Sequence, residues 1–213
     1  MKNRSLVISL FFFGLLGFFS LEAEVLVSNY SSPTTTSFPS VNSGNSLAQA
    51  ITTNHLSGRV DSIRVNFRIY EGMEGPIQLS IHQDFQGLPG SLLPGGQLTL
   101  VEPLPVGSRV NLDFTSEGIA LEADSRYWVI ASSEYPAVGG QTHGWHWTRN
   151  LIVTSDVGWN IFPGYAFSSD NGATWNYSST RPSLFMEISG EVIPEPGTLS
   201  LLALGGLLLR KRK

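Results

Sequence analysis

Between two apolar ends, this sequence predicts an all-β domain, a β-sandwich of jelly-roll type. Three observations point there. Apolar residues recur at every second position in several stretches, as they must when one face of a strand is buried and the other wet. Gly and Pro, 22 and 12 of 213 residues, cluster between those stretches and act as turn punctuation. No stretch between the two ends carries the 3.6-residue period of an amphipathic helix.

Taken in order, residues 1–23 carry a positive start (Lys2, Arg4) and an apolar run over 6–19, then a small residue, Ala23, at a plausible cleavage point, the pattern of a secretory signal helix. Residues 24–46 open on Val25-Leu26-Val27 and continue as a Ser/Thr/Pro/Asn-rich segment, expected as an arm. The β domain is expected over 47–193. Its first strand alternates Ala48, Ala50 and Thr52 with Gln49, Ile51 and Thr53; the second alternates Ile63, Val65, Phe67 and Ile69 with Arg64, Asn66, Arg68 and Tyr70. After a turn at Gly72, Gly75 and Pro76, Ile77, Leu79 and Ile81 repeat the pattern with Gln78, Ser80 and His82 opposite. Gly87, Pro89, Gly90, Pro94, Gly95 and Gly96 then predict a wide loop before a strand at 98–101. Further strands are expected at 109–114, 119–122, 127–132, 143–149 and 183–192. About ten short strands with Gly and Pro turns pack most economically as a sandwich.

Charge and cysteine content exclude several function classes. All three Lys (Lys2, Lys211, Lys213) lie in the terminal segments, and residues 24–193 hold seven Arg against six Asp and nine Glu, a formal charge of −8. An acidic, Lys-free domain argues against nucleic-acid binding and rules out a Lys nucleophile or a phosphate-loop lysine. With no Cys, thiol catalysis and Cys-based metal sites are excluded, and a secreted chain must be held by packing. No cofactor is expected.

Two local motifs stand out. Ser168, Asp170, Gly172, Thr174 and Trp175 fit S-x-D-x-G-x-T-W. Its physics is that of a hairpin turn: the carboxylate accepts from turn N–H groups, glycine takes a positive φ, and the indole folds back as an apolar plug. The pattern resembles the Asp-box of sialidases and related propellers, where it is a structural turn. A propeller needs several copies, and here one copy is joined only by a degenerate echo over 154–159. In His143-Gly144-Trp145-His146-Trp147, residues two apart share a strand face, so Trp145 and Trp147 would lie about 6 to 7 Å apart, a candidate carbohydrate platform. The competing reading is core packing or the shielding of an edge. His143 and His146 would point to opposite faces, so no metal site is expected there. His55 and His82 read as polar-face residues, and Asn29-Tyr30-Ser31 and Asn176-Tyr177-Ser178 fit the N-glycosylation pattern, to which no role is assigned.

Catalytic motifs are missing from the sequence: no G-x-S-x-G elbow, no H-E-x-x-H, no phosphate loop. Asp84, Glu102, Asp113, Glu117, Glu122 and Glu134 are scattered over turns. A glycosidase pair drawn from them would leave no sequence spacing.

The final segment, 194–213, sets location. Pro194, Glu195 and Pro196 precede an apolar run over 199–209 and the basic cluster Arg210, Lys211, Arg212 and Lys213. As a helix the run spans roughly 17 Å against a hydrocarbon core of about 30 Å, short for a permanent span. The basic end would stay cytoplasmic, leaving the triplet and all before it outside. This order resembles the C-terminal signal of the PEP-CTERM family of bacterial exported proteins. The resemblance implies processing by an exosortase, with the membrane met only through the terminal signals; a plain tail anchor is the competing reading. The strand leading into Asp84 and the Gly87-Leu88-Pro89-Gly90 turn, with the later Arg126-Tyr127-Trp128-Val129-Ile130, is similar to the "choice-of-anchor" domains found upstream of such anchors. That resemblance implies a β-sandwich at a surface and no assigned activity. The expectation is therefore a non-enzymatic exported surface or extracellular-matrix protein, with the secretion machinery and an exosortase as partners. The alternative is a module binding exopolysaccharide through Trp145 and Trp147.

Overall fold

The computed structural model describes residues 23–33, 37–70, 76–101, 106–134, 136 and 142–193. The signal helix expected over 1–23, all but its last residue, the 72–75 part of the first turn and the whole 194–213 segment lie outside the described residues. What is described is all-β, without a helix: β1 (Glu24–Ser28), β2 (Ser40–Val41), β3 (Ser46–Thr52), β4 (Gly58–Ile69), β5 (Ile77–Phe85), β6 (Leu88–Leu100), β7 (Gly107–Leu121), β8 (Arg126–Ser133), β9 (His143–Trp145), β10 (Asn160–Ile161), β11 (Tyr165–Ser168), β12 (Asn176–Ser178) and β13 (Met186–Val192). They form one curled antiparallel sheet in the order β1-β13-β4-β7-β6-β5-β8-β3-β11-β12, with β10 on β3 and the short β2 and β9 linked to β4. A single path of this kind is not a ring of repeated propeller blades.

The alternation read from the sequence places β4 and β5 well. Ile63, Val65, Phe67 and Ile69 of β4 and Ile77, Leu79 and Ile81 of β5 are buried in one core with Leu26 of β1, Leu47 and Ile51 of β3, Phe114 of β7, Val129 of β8 and Ile188 of β13. On the outer face of β4, Arg64 lies between Asp113 of β7 and Glu187 of β13, and Arg59 pairs with Glu191 of β13. These exposed pairs add little stability each.

Several expectations are corrected. The 24–46 segment is not a loose arm: β1 lies within it and pairs with β13 from Glu24↔Gly190 to Ser28↔Glu187. Asn29, just beyond β1, is fully buried. Its Nδ2 donates to the Leu184 carbonyl at 2.8 Å and its Oδ1 accepts from the Met186 N–H at 2.8 Å. Gln49 of β3, also buried, accepts from the Leu184 N–H at 2.7 Å and donates to the Phe162 carbonyl at 2.8 Å. Two side-chain amides thus supply the hydrogen bonds that a neighbouring strand would give the approach to β13.

β3 has no wet face. Ser46 to Ile51 are all buried, because the core covers one side while Ala48 and Ala50 lie under Phe162 and Trp175 on the other. The wide loop expected before residue 98 is instead strand. β5 runs on to Phe85, turns tightly at Gln86 (φ 55°) and Gly87 (φ 82°), and returns as β6. Positive φ at both central residues is the twist-matched hairpin geometry. The prolines fit because Pro89 and Pro94 lie where β6 is paired only with β5, and irregular register after Ser80 and His82 accommodates the extra residues. A Cβ on Gly96 would meet the Ile81 carbonyl at 2.6 Å, so close approach of the two strands requires glycine there. The expected strands at 109–114 and 119–122 are one irregular strand, β7, with its shift opposite Val60 and Ser62 and Gly118 at φ 92°. The strand expected at 143–149 ends at Trp145.

Candidate functional site

Trp145 and Trp147 do not form a platform. Trp145 is 0% exposed, stacked on Phe67 at 5.7 Å between centroids, with its Nε1–H donating to the Phe185 carbonyl at 2.6 Å. The strand stops there: the His146 N–H goes to the Asn66 carbonyl, and Trp147, half-buried, bridges to Leu184 and tilts against Tyr165. The carbohydrate reading of this pair is corrected by geometry, since Trp145 has no surface left to offer. His143 is fully buried, and among the described residues neither ring nitrogen has a hydrogen-bond partner. Burial pushes its pKa down, so it packs as a neutral ring. His146 is also buried, its ring edge-on to Phe38 at 5.4 Å. Among the described residues no group of three or more His, Cys, Asp or Glu stands close enough to hold a metal ion.

The 168–175 motif joins β11 to β12 as a hairpin. The Ser168 hydroxyl donates to Asp170 Oδ1 at 2.6 Å and accepts from the Gly172 N–H at 2.7 Å. Asp170 further accepts from the Thr174 N–H at 2.8 Å and the Thr174 hydroxyl at 2.6 Å. These donors, Ser168 foremost, hold the Asp170 carboxyl down at about 2. Asn171 (φ 56°) and Gly172 (φ 89°) make the reversal. Trp175 then folds back, half-buried, over a small apolar layer of Ala48, Ala50, Trp128, Ile130 and Ala166 on the outer face of the sheet.

That overhang makes one wall of a groove of about 450 Å³ on the outer face. Register puts Ser132, Ile130 and Trp128 of β8 opposite Gln78, Ser80 and His82 of β5, and Ala48 of β3 opposite Ile130 on the other side. The floor is Ser46, Ser80, His82, Ile130 and Ser132; the walls are Asn171 to Ala173 with Trp175 on one side, and Pro89 and Gly90 on the other. His82 Nδ1 is 2.8 Å from the Gly90 carbonyl, which can only accept, so the ring proton lies on Nδ1. Nε2, 3.1 Å from Ser80 Oγ, is then the acceptor of the Ser80 hydroxyl. Burial lowers the His82 pKa against the opposing pull of the Gly90 carbonyl, keeping the ring neutral near pH 7. None of the lining residues is an Asp, Glu, Lys or Arg.

A second hollow, about 280 Å³, lies beside Tyr165 and Phe167, where Arg181 stacks over both rings and donates to the Tyr165 hydroxyl at 2.6 Å. Glu102 lies outside the described residues, and two of the other carboxylates are engaged in structural contacts. Asp84 accepts from Trp128 Nε1–H at 2.8 Å and from the Gly87 N–H at 3.0 Å, and Asp113 pairs with Arg64 at 2.7 Å. Pro194, Glu195, Pro196 and Arg210 to Lys213 lie outside the described residues.

The sequence reading placed Ser80 and His82 on a polar face and Trp175 in a turn, and did not bring them together. The usable signal was the row of small polar residues at outward positions of three strands, Ser46, Ser80 and Ser132. It needed the strand order to become a site. The chain matches no family model and no curated protein.

Proposed function

We propose that the chain is an exported, non-enzymatic protein of the cell surface or extracellular matrix. The secretion machinery delivers it, and an exosortase sorts it through the Pro194-Glu195-Pro196 signal, so that it is anchored in the membrane only transiently. One observation carries this reading: the order of triplet, short apolar run and basic cluster at 194–213, with every Lys confined to the two terminal segments. The acidic, cysteine-free domain between them fits an extracellular life held by packing alone. In this reading that domain is a sandwich of jelly-roll type. Support comes from β6, which pairs with β5 over most of its length and with β7 at Thr99 and Leu100, and from the shared core that draws on both halves of the strand order.

Mass spectrometry of the mature protein from its host tests the sorting step. Loss of the segment after Pro196 is the expected result. An intact Arg210 to Lys213 end would overturn processing and leave a plain anchor.

A further inference from the structure

The groove between the 168–175 hairpin and the β5–β6 hairpin has features that neither the turn nor the core requires. We propose that it binds a neutral, polyhydroxylated ligand, a stretch of glycan, with the Trp175 indole as the stacking wall and the hydroxyls of Ser46, Ser80 and Ser132 as the polar floor. The proposal does not depend on how the tail is processed.

Ser46 gives the first reason. It is 1% exposed, lines the groove, and its Oγ has no hydrogen-bond partner among the described residues. A buried hydroxyl in that position is costly unless something entering the groove meets it. The Ser80–His82 pair gives the second. With the Ser80 proton directed to His82 Nε2, the Ser80 lone pairs remain to accept, while Ser46 and Ser132 can donate or accept. A row of hydroxyls with mixed polarity matches the vicinal hydroxyls of a sugar, which also donate and accept.

Charge narrows the ligand class. In a domain of formal charge −8, a groove lined by no ionic side chain selects against a cation or an anion and suits a neutral chain. Shape agrees. Ser46, Ser80 and Ser132 leave room on the floor between the two hairpins, and about 450 Å³ falls within the range of roughly 300–1,000 Å³ typical of small-ligand sites. Trp175 is held from behind by the Ala48, Ala50 and Ala166 layer, so its ring needs no ordering to receive the C–H face of a pyranose. The same arrangement is absent around Trp145, which is sealed in the core.

The test uses the full chain in mild detergent, titrated by calorimetry and by tryptophan fluorescence with cello-, malto- and manno-hexaose, and with polygalacturonate and dextran sulfate as charged comparators. At least one neutral hexaose should bind with a Kd of about 1 mM or tighter. Trp175→Ala should weaken that binding by about tenfold or more, and Trp147→Ala should leave it unchanged. Because Trp175 also covers an apolar layer, the Ser80→Ala/Ser132→Ala double variant provides a second measurement, with the same expected loss of about tenfold at an unchanged far-UV spectrum. No binding of any neutral hexaose at about 10 mM, binding of the charged polymers only, or affinity unchanged in the double variant would overturn the proposal.

Discussion

Asn29 is a position where removing one side-chain amide should be costly. Its amide holds two backbone groups of the approach to β13, the Leu184 carbonyl and the Met186 N–H, both at 2.8 Å, and the residue is 0% exposed. Asn29→Leu keeps the number and branching of heavy atoms, with more bulk, and leaves both backbone groups without their side-chain partner in a place water does not reach. At about 1–3 kcal/mol for each stranded group, the loss is about 2–6 kcal/mol. For a domain of this size about 1 kcal/mol moves Tm by roughly 2–4 °C, so a central loss of about 4 kcal/mol lowers it by roughly 8–16 °C. Urea denaturation followed by tryptophan fluorescence should show a lower midpoint at an unchanged slope. Asn29→Asp sharpens the test. It keeps the acceptor for Met186 but turns a carboxylate oxygen toward the Leu184 carbonyl, so it should be at least as unstable near pH 7 and recover in acid, where the protonated acid can donate. An unfolding free energy for Asn29→Leu within about 0.5 kcal/mol of the wild type would refute the reasoning, since that is the size of an ordinary surface change.

Two further outcomes follow from the titratable groups. His82 and His143 both have lowered pKa values in the folded state through burial, so the unfolded chain takes up protons first as pH falls through about 6.5. Their contribution to stability is complete above that pH and declines below it. Tm should therefore drop between pH 7.5 and about 5, more steeply in the wild type than in His143→Leu, and equal slopes would contradict the assignment. The Asp170 carboxyl, held at about 2, should keep the 168–175 turn ordered until strongly acid conditions. Amide exchange at Thr174, whose N–H it accepts, should quicken in Asp170→Ala at neutral pH. An unchanged rate there would mean that the turn stands without its carboxylate.

Much of the fold was legible because alternation reports a strand with one buried face, and β4 and β5 are such strands. β3 was misread in part because both of its faces are covered, the outer one by Phe162 and Trp175, which arrive from more than a hundred residues away. β6 was hidden by Pro89, Gly90, Pro94, Gly95 and Gly96, which forbid regular pairing on two sides but not irregular pairing on one. Asn29 looked like part of a polar arm because nothing local shows that the Leu184 and Met186 backbone needs partners. Within the candidate site, the turn residues from Ser168 to Trp175 could be read from their spacing, since their hydrogen bonds are local. The groove could not, because Ser46, Ser80 and Ser132 meet only through the β3-β8-β5 order.

The pairing of β13 has a mechanical consequence. This strand is flanked by β1 on one side and β4 on the other, and residue 193, at its C-terminal end, leads toward the tail. A pull on that end runs along the strand axis, so both ladders resist in shear and their hydrogen bonds must yield together instead of parting one at a time like a zipper. Drag on a tethered copy would therefore be met by two ladders at once.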